Sequence, residues 1–340
     1  MNSSKQSDYV ISLDAMSGDK GPEIVVRAAK LSLSKNPSLR VMLIGKETIL
    51  TSLVAEIMGS DERVSIHDAT EIVNMSESPS EALRKKKNSS MRVSIDMVKD
   101  GSAHACVSAG NTGALMATAK FVLKMLPGIN RPAIMTELPV AGGTVHMLDL
   151  GANTTSDPEQ LFQFALMGSI VAGDISDLEN PRISLLNIGV EDSKGNDNVK
   201  SAANLLAQSG LNYIGFIEGN EIFSGKTDVV VTDGFTGNVA LKTIEGTVSF
   251  VISSLRDAFS KNLFTKLQAL LSSSVLSKLR ARMDSRKYNG ASLVGLNGIV
   301  IKSHGSADAY SFHCAIETAL IEVKNQVPDQ IRKLLERESG

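Results

Sequence analysis

Tyr9-Val-Ile-Ser-Leu-Asp-Ala-Met-Ser-Gly18-Asp-Lys-Gly-Pro22-Glu-Ile-Val-Val-Arg-Ala-Ala-Lys30 is the stretch that decides the fold. Tyr9–Leu13 is a short apolar run and reads as a strand. Asp14 to Pro22 is a polar loop bearing two glycines. From Glu23 the apolar residues recur at helical spacing, and Pro22 sits at the mouth, where a missing N–H costs nothing. The same strand, loop and helix sequence returns along the chain. Strands are expected at Val41–Ile44, Val64–His67, Ala105–Ser108, Thr144–Leu150, Ile183–Asn187, Tyr213–Ile217 and Val229–Thr232. Helices are expected at Lys46–Met58, from Ser78 to Lys87, at Met91–Lys99, from Gly113 to about Leu123, at Pro158–Val171 and at Val199–Gln208. Short strands alternating with helices predict an α/β body with a largely parallel sheet, here one unit over residues 9–340.

Composition agrees with a folded domain. The 340 residues are 42% hydrophobic and 21% charged, enough apolar material for a sizeable core and too much for disorder. A net charge of −2 gives no field that would attract nucleic acid. Two cysteines, Cys106 and Cys314, exclude a disulfide framework and a Cys₄ zinc site, and point to a reducing cytoplasm. Met1 to Asp8 is polar, so no secretory signal is expected, and no run of about 18 apolar residues is present to span a bilayer.

One region breaks the alternation. From about Asn238 to Lys287 the pattern is helical without a strand, and a helical hairpin is expected over residues 245–287. Phe250, Val251, Leu255, Phe259, Leu263 and Phe264 recur at spacings of three and four. Its tip carries Leu267, Leu270, Leu271, Val275 and Leu276, flanked by Lys266, Lys278 and Arg280. Such a stripe buries itself in a dimer interface or sits in the headgroup region of an anionic membrane.

In open parallel sheets, ligands bind beyond the carboxyl ends of the strands. Six loops there are rich in Gly, Asn, Asp, Ser and Thr: those following Asp14, Ser108, Leu150, Ile188, Thr232 and Ile301. Each alone serves equally well as a turn or a helix cap. Together, crowded backbone N–H groups and helix N-termini would make an anion cradle. The fingerprint G-x-G-x-x-G is absent, and Asn220 to Thr227 fails as a phosphate loop because a strand follows it. Cys106 lies in an apolar strand and reads as a small hydrophobe. Lys194 is different: a cation in a loop with Gly189, Gly195 and Asn196, either an ordinary surface lysine or a clamp on an anionic substrate. Arg84, Lys85, Lys86, Lys87 and Arg92 form a basic cluster with no acid between Ala82 and Ile95. The plain reading is a solvated helix face, and the sharper one is a dock for an acidic carrier protein.

At these loops the chain resembles the bacterial phosphate acyltransferases of phospholipid synthesis. The likeness runs from about Val10 to Ala319 and rests on Asp14-Ala-Met-Ser-Gly-Asp-Lys-Gly-Pro22, Ser108-Ala-Gly-Asn-Thr-Gly-Ala-Leu-Met116, Arg131-Pro-Ala, Leu148-Asp-Leu-Gly-Ala-Asn153, Asn187-Ile-Gly-Val-Glu-Asp-Ser-Lys-Gly195, Thr232-Asp-Gly-Phe-Thr-Gly-Asn-Val239 and Ile301-Lys-Ser-His-Gly-Ser-Ala307. The family usually has Gly where Ser17 stands, which would strain a loop that needs a positive φ there.

The resemblance implies a three-layer α/β/α fold with a mostly parallel, mixed sheet, similar to isopropylmalate dehydrogenase and phosphotransacetylase, usually dimeric. It implies transfer of a fatty acyl group from acyl-acyl-carrier-protein to inorganic phosphate, giving acyl phosphate for phosphatidic acid synthesis. Lys194 and Asn238 are the implied catalytic residues. Asp14, Gly18, Ser108, Gly110, Asn111, Thr112, Gly113, Asn153, Asp233, Lys302, His304 and Ser306 are the implied substrate and phosphate contacts. No cofactor or metal is called for. The implied setting is cytoplasmic, peripheral to the inner face of the membrane, beside a membrane glycerol-3-phosphate acyltransferase that takes the product.

Overall fold

The computed structural model describes residues 9–140, 142–176 and 178–338. The polar opening, residues 1–8, on which the expectation of no secretory signal rests, lies outside them, as does the side chain of Arg280. In chain order the elements are β1 (Tyr9–Asp14), α1 (Pro22–Lys35), β2 (Leu39–Gly45), α2 (Glu47–Ile57), β3 (Val64–Asp68), α3 (Pro79–Lys85), α4 (Ser90–Lys99), β4 (Ala105–Ser108) and α5 (Thr112–Leu123). There follow β5 (Ala133–Val140), β6 (Gly143–Leu148), α6 (Pro158–Ser176), β7 (Ile183–Leu186), α7 (Asp197–Ala207), β8 (Tyr213–Ile217) and β9 (Val229–Val231). The chain ends with α8 (Gly234–Ser260), α9 (Leu263–Leu271), α10 (Ser273–Arg282), β10 (Ala291–Val294), β11 (Ile299–Lys302), α11 (Ala309–Asn325) and α12 (Val327–Glu338).

All eleven strands join one sheet in the order β3-β2-β1-β4-β11-β10-β5-β6-β9-β7-β8. The first five are mutually parallel, and so are the last four. Antiparallel β10 and β5 join the two blocks and reverse the direction of the second. The sheet is therefore mixed, and strands β5, β10 and β11 are additions to the eight strands expected from the sequence.

Alternation along the strands builds the layers. Ile11 and Leu13 face α1 and α11, and Ala105, Val107, Ile299 and Ile301 share that core. The opposite sides of the same strands, Cys106 and Val300, pack on α4 and α5 through Ile95, Leu115 and Ala119. Ser12 also points that way and donates to the Ser94 carbonyl at 2.8 Å. In the second block Leu148, Val229 and Val231 meet Phe164 and Met167 of α6. Val145, Met147 and Val230 meet Ala240, Leu241 and Ile244 of α8. Helices thus cover both faces, giving three layers.

The helical excursion departs from a two-armed hairpin. Its outgoing arm is 27-residue α8, which already starts at Gly234. The return is broken at Ser272 into α9 and α10. Neither α8 beyond its first turns nor α9 contributes a residue to a core cluster. Leu263, Phe264, Leu267, Leu270, Leu271 and Val275 are all exposed. No helix among the described residues is long and apolar enough to cross a membrane.

Candidate active site

Two groups of loops carry the candidate residues. The first stands at the ends of β1, β4 and β11, where Asp14 pairs with Ser108 and Ser108 with Lys302 across neighbouring parallel strands. Ser108 Oγ donates to Asp14 Oδ2 at 2.6 Å and accepts from the Gly110 N–H at 3.1 Å. Asp14 and Ser108 are both fully buried. Burial raises the Asp14 carboxyl above its usual range, against hydrogen bonds from Ser108, Ser90 and Ser17 and from the Met16 backbone. These residues brace the loops from beneath. Ser17 fits without strain, since it is not among the residues with positive φ, and its hydroxyl lies 3.3 Å from Ser108 Oγ. The neighbouring turn does need glycine. Gly18 has φ +92°, and a Cβ there would come within 3.1 Å of Ala109 Cβ. The loop closes on the one after β11 through Asp19 N–H to the Gly305 carbonyl, 2.8 Å.

Asn111 caps α5, accepting from Ala114 N–H at 2.9 Å, and donates to the Met75 and Glu77 carbonyls at 2.6 and 3.2 Å. Its amide is spent on the fold, which leaves the exposed Thr112 and Gly113 as the open part of this turn. Lys302 donates to the Ser303 carbonyl. Its ammonium is lowered to about 8 by burial, with Asp19 and Asp14 pulling up and Lys242 pushing down. His304 is exposed, 3.4 Å from Ser306 Oγ through Nδ1 and 3.7 Å from Glu245 Oε1 through Nε2.

The second group stands at the ends of β6, β9 and β7, which are adjacent and parallel. Its organiser, which sequence reasoning passed over, is Asp149. Asp149 Oδ1 accepts from the N–H groups of Ile134, Gly151 and Ala152, and Oδ2 from the N–H and Nδ2 of Asn153. Asn153 also donates to the Pro132 carbonyl at 2.8 Å and is buried. Burial raises the Asp149 carboxyl, and these donors act against that. The signal was there: a carboxylate at a strand end, followed by Gly, Ala and Asn, is a ready acceptor for its own turn. Asp233 caps α8 by accepting from Thr236 N–H at 2.9 Å and Oγ1 at 2.8 Å. Gly237 permits the close approach of α8 to this turn, since a Cβ there would lie 1.9 Å from the Asp149 carbonyl oxygen.

Two residues remain unspent. Asn238 is exposed on α8 beside Gly151, and its side chain has no hydrogen bond among the described residues. Lys194 is exposed in the loop after β7, and its ammonium has no ion-pair partner among the described residues. The backbone holds that loop, with Lys194 N–H on the Glu191 carbonyl at 2.9 Å and Asn187 Nδ2 on the Lys194 carbonyl at 3.2 Å.

The first turns of α8 connect the groups. Asn238 lies against Gly151, and Glu245 reaches His304. Seven residues of helix separate them, roughly 10 Å. So the turns converge on the two ends of one short helical edge. The basic cluster adjoins the first group, but much of its charge is engaged. Lys85 pairs with Glu81 at 2.8 Å, Lys86 with Glu77 at 2.6 Å, and Arg92 with Asp96 at 2.9 Å. Arg84 and Lys87 have no ion-pair partner among the described residues. The apolar residues of α9 and α10 lie beyond the far end of α8, which is about 40 Å long.

The family model described as "Fatty acid synthesis protein" matches residues 9–330. The phosphate acyltransferase of Alkalilimnicola ehrlichii is 56% identical, over 96% of each chain. That of Halorhodospira halophila is 52% identical, over 98% of each chain. Among solved structures, a phosphotransacetylase from Streptococcus pyogenes superposes with a TM-score of 0.63 at 17% identity, covering 93% of this chain and 94% of that one, which is a likeness of fold. The chain belongs to the phosphate acyltransferase family and is an acyltransferase.

Proposed function

We propose that the protein transfers a fatty acyl group from acyl-acyl-carrier-protein to inorganic phosphate and releases acyl phosphate for phospholipid synthesis. The observation that carries this reading is the edge of α8, where the unspent Asn238 amide lies against the turn at Gly151 and Glu245 reaches the turn at His304, so that both sets of glycine-rich turns border one gap of roughly 10 Å along the helix. Phosphate near neutral pH is already an anionic nucleophile, so no side chain need be acylated. A phosphate oxygen attacks the thioester carbonyl carbon, the C–O bond forms, and the C–S bond breaks with its electron pair leaving on sulfur. The proton of hydrogen phosphate ends on the carrier thiol. Catalysis is then positioning plus stabilisation of the carbonyl oxyanion, worth several kcal/mol for each well-placed donor.

In this scheme Asn238 donates to the carbonyl oxygen and Lys194 neutralises developing charge. The open turn from Asn111 to Gly113, with His304 and Ser306, holds phosphate oxygens, while the amides of Gly110 and of Gly151 to Asn153 are taken by Ser108 and Asp149. Asp14, Ser108, Asn111, Asn153 and Asp233 set the shape of those turns, as their hydrogen bonds support. The acidic carrier docks on the face bearing Arg84, Lys87 and Arg92. Phe121, half exposed, adjoins it between Arg92 and Lys124, whose cationic groups lie 5.6 and 4.8 Å from the ring centre. The exposed apolar residues of α8 to α10 serve a second copy of the chain and an anionic membrane surface, where a membrane glycerol-3-phosphate acyltransferase would receive the product.

The test is incubation of purified protein with acyl-carrier thioester and labelled phosphate. Labelled acyl phosphate and free carrier thiol should appear together in equal amounts. Faster turnover of acyl-coenzyme A than of the carrier thioester would replace the donor. Thiol release without labelled acyl phosphate would overturn the reaction.

A further inference from the structure

A second cation borders the gap. Lys242 stands one helical turn beyond Asn238, so the two side chains share a face of α8, about 6 Å apart along its axis. Its Nζ is 2.7 Å from Glu245 Oε2. The other oxygen of Glu245 is the one that faces His304. Glu245 therefore ties α8 to the loop after β11 and fixes the Lys242 ammonium on that side. The neighbouring His304 imidazole, with help from Lys242, lowers the Glu245 carboxyl to about 2, so it stays ionised in the working range. Lys302 ends β11, two residues before His304, so the link through Glu245 brings Lys242 and Lys302 to the same end of this helical edge. Two ammonium groups held at one end of the edge repel, and the arrangement becomes favourable when an anion lies between them. Asp19 and Asp14 offset part of the charge of Lys302, and Glu245 part of that of Lys242.

We propose that Lys242 and Lys302 are the two prongs that hold the acceptor phosphate, at the end of the gap formed by the loops after β1 and β11. This rests on the acyl-transfer reading and deepens it. The acyl carbonyl then lies at the other end, against Asn238 and Lys194, and the attacking oxygen crosses the one-turn interval between Asn238 and Lys242.

The test replaces the charge while keeping the length, as Lys242→Met and Lys302→Met, with Lys242→Arg as the conservative variant. Steady-state kinetics at pH 7 should show KM for phosphate at least tenfold higher in each Met variant, the loss of one charge-assisted contact. KM for the acyl-carrier thioester should stay within twofold, and Lys242→Arg should recover most of the phosphate affinity. Inorganic phosphate alone should raise the melting temperature of the wild type and of Lys226→Met, and much less that of Lys242→Met. An unchanged phosphate KM in folded Lys242→Met, or a rise confined to the thioester KM, would overturn the proposal. The melting readout needs no turnover. Should the wild type form no acyl phosphate, the reaction falls, and a phosphate-dependent shift lost in Lys242→Met would still uphold the anion site.

Discussion

At Asn153 and Asn238 the same side chain meets two fates. Asn153 sits at a strand end in a turn and gives its amide to Pro132 and Asp149, while Asn238 on the first turns of α8 keeps its amide free. Asn111 resembles Asn153, its donors taken by Met75 and Glu77. The sequence marks all three alike, because the carbonyls of Pro132, Met75 and Glu77 that take these amides lie 21 to 36 residues away and carry no residue signature. What the sequence does mark is the loops themselves, since glycine and short polar residues at strand ends have few other uses. The distinction leads to a prediction. Lys194→Ala and Asn238→Ala should each lower kcat at least tenfold, roughly one charge-assisted contact, with melting temperatures within a degree or two of wild type. Wild-type turnover in both folded variants would favour a non-catalytic carrier-binding or membrane scaffold.

Among the elements, β1 to β4 and β6 to β9 were legible because short apolar runs alternate with helical periodicity. Strands β5, β10 and β11 were not. β10 is four residues long, and β5 carries Glu137 and Pro139 within it. β10 becomes a strand by pairing with β5, far earlier in the chain, and with its neighbour β11. The sequence pattern places the start of this helix later, near Asn238, since Asp233-Gly-Phe-Thr-Gly has a loop composition. The Asp233 cap and the close packing of Gly237 on Asp149 make it helix. The exposed residues of α9 set a further prediction. Leu271→Glu, at a position 78% exposed, should release the protein from anionic vesicles in a flotation assay while activity on soluble substrates is kept. Unchanged vesicle binding by the folded variant would remove the membrane anchor and leave the apolar face to a second copy of the chain.

On the scale of the whole molecule, one sheet carries both groups of turns, and its reversal at β10 and β5 is the feature that a pattern of local alternation does not reveal. Beneath that reversal lies a cavity of about 60 Å³ lined by Glu137, His146, Lys287, Ser292, Thr318 and Glu322. Glu322 is fully buried, accepts from Ser292 Oγ at 3.1 Å, and is raised by burial to about 7. A carboxyl raised in the folded state gives stability that is complete below the unfolded value of 4.5 and is lost as pH rises through about 7. Glu322→Gln should therefore melt close to wild type at pH 4.5 and clearly above it at pH 8, by a free energy on the order of a few kcal/mol. Equal melting temperatures at pH 8 would contradict that account of the buried carboxyl. The central claim concerns chemistry shared between the two ends of the gap: phosphate displaces the carrier thiol directly. Intact-protein mass spectrometry of enzyme quenched during turnover, with acyl-carrier thioester and phosphate both present, tests it most directly. The chain should keep its unmodified mass while acyl phosphate accumulates, and an acyl adduct that forms and decays at the rate of turnover would contradict it.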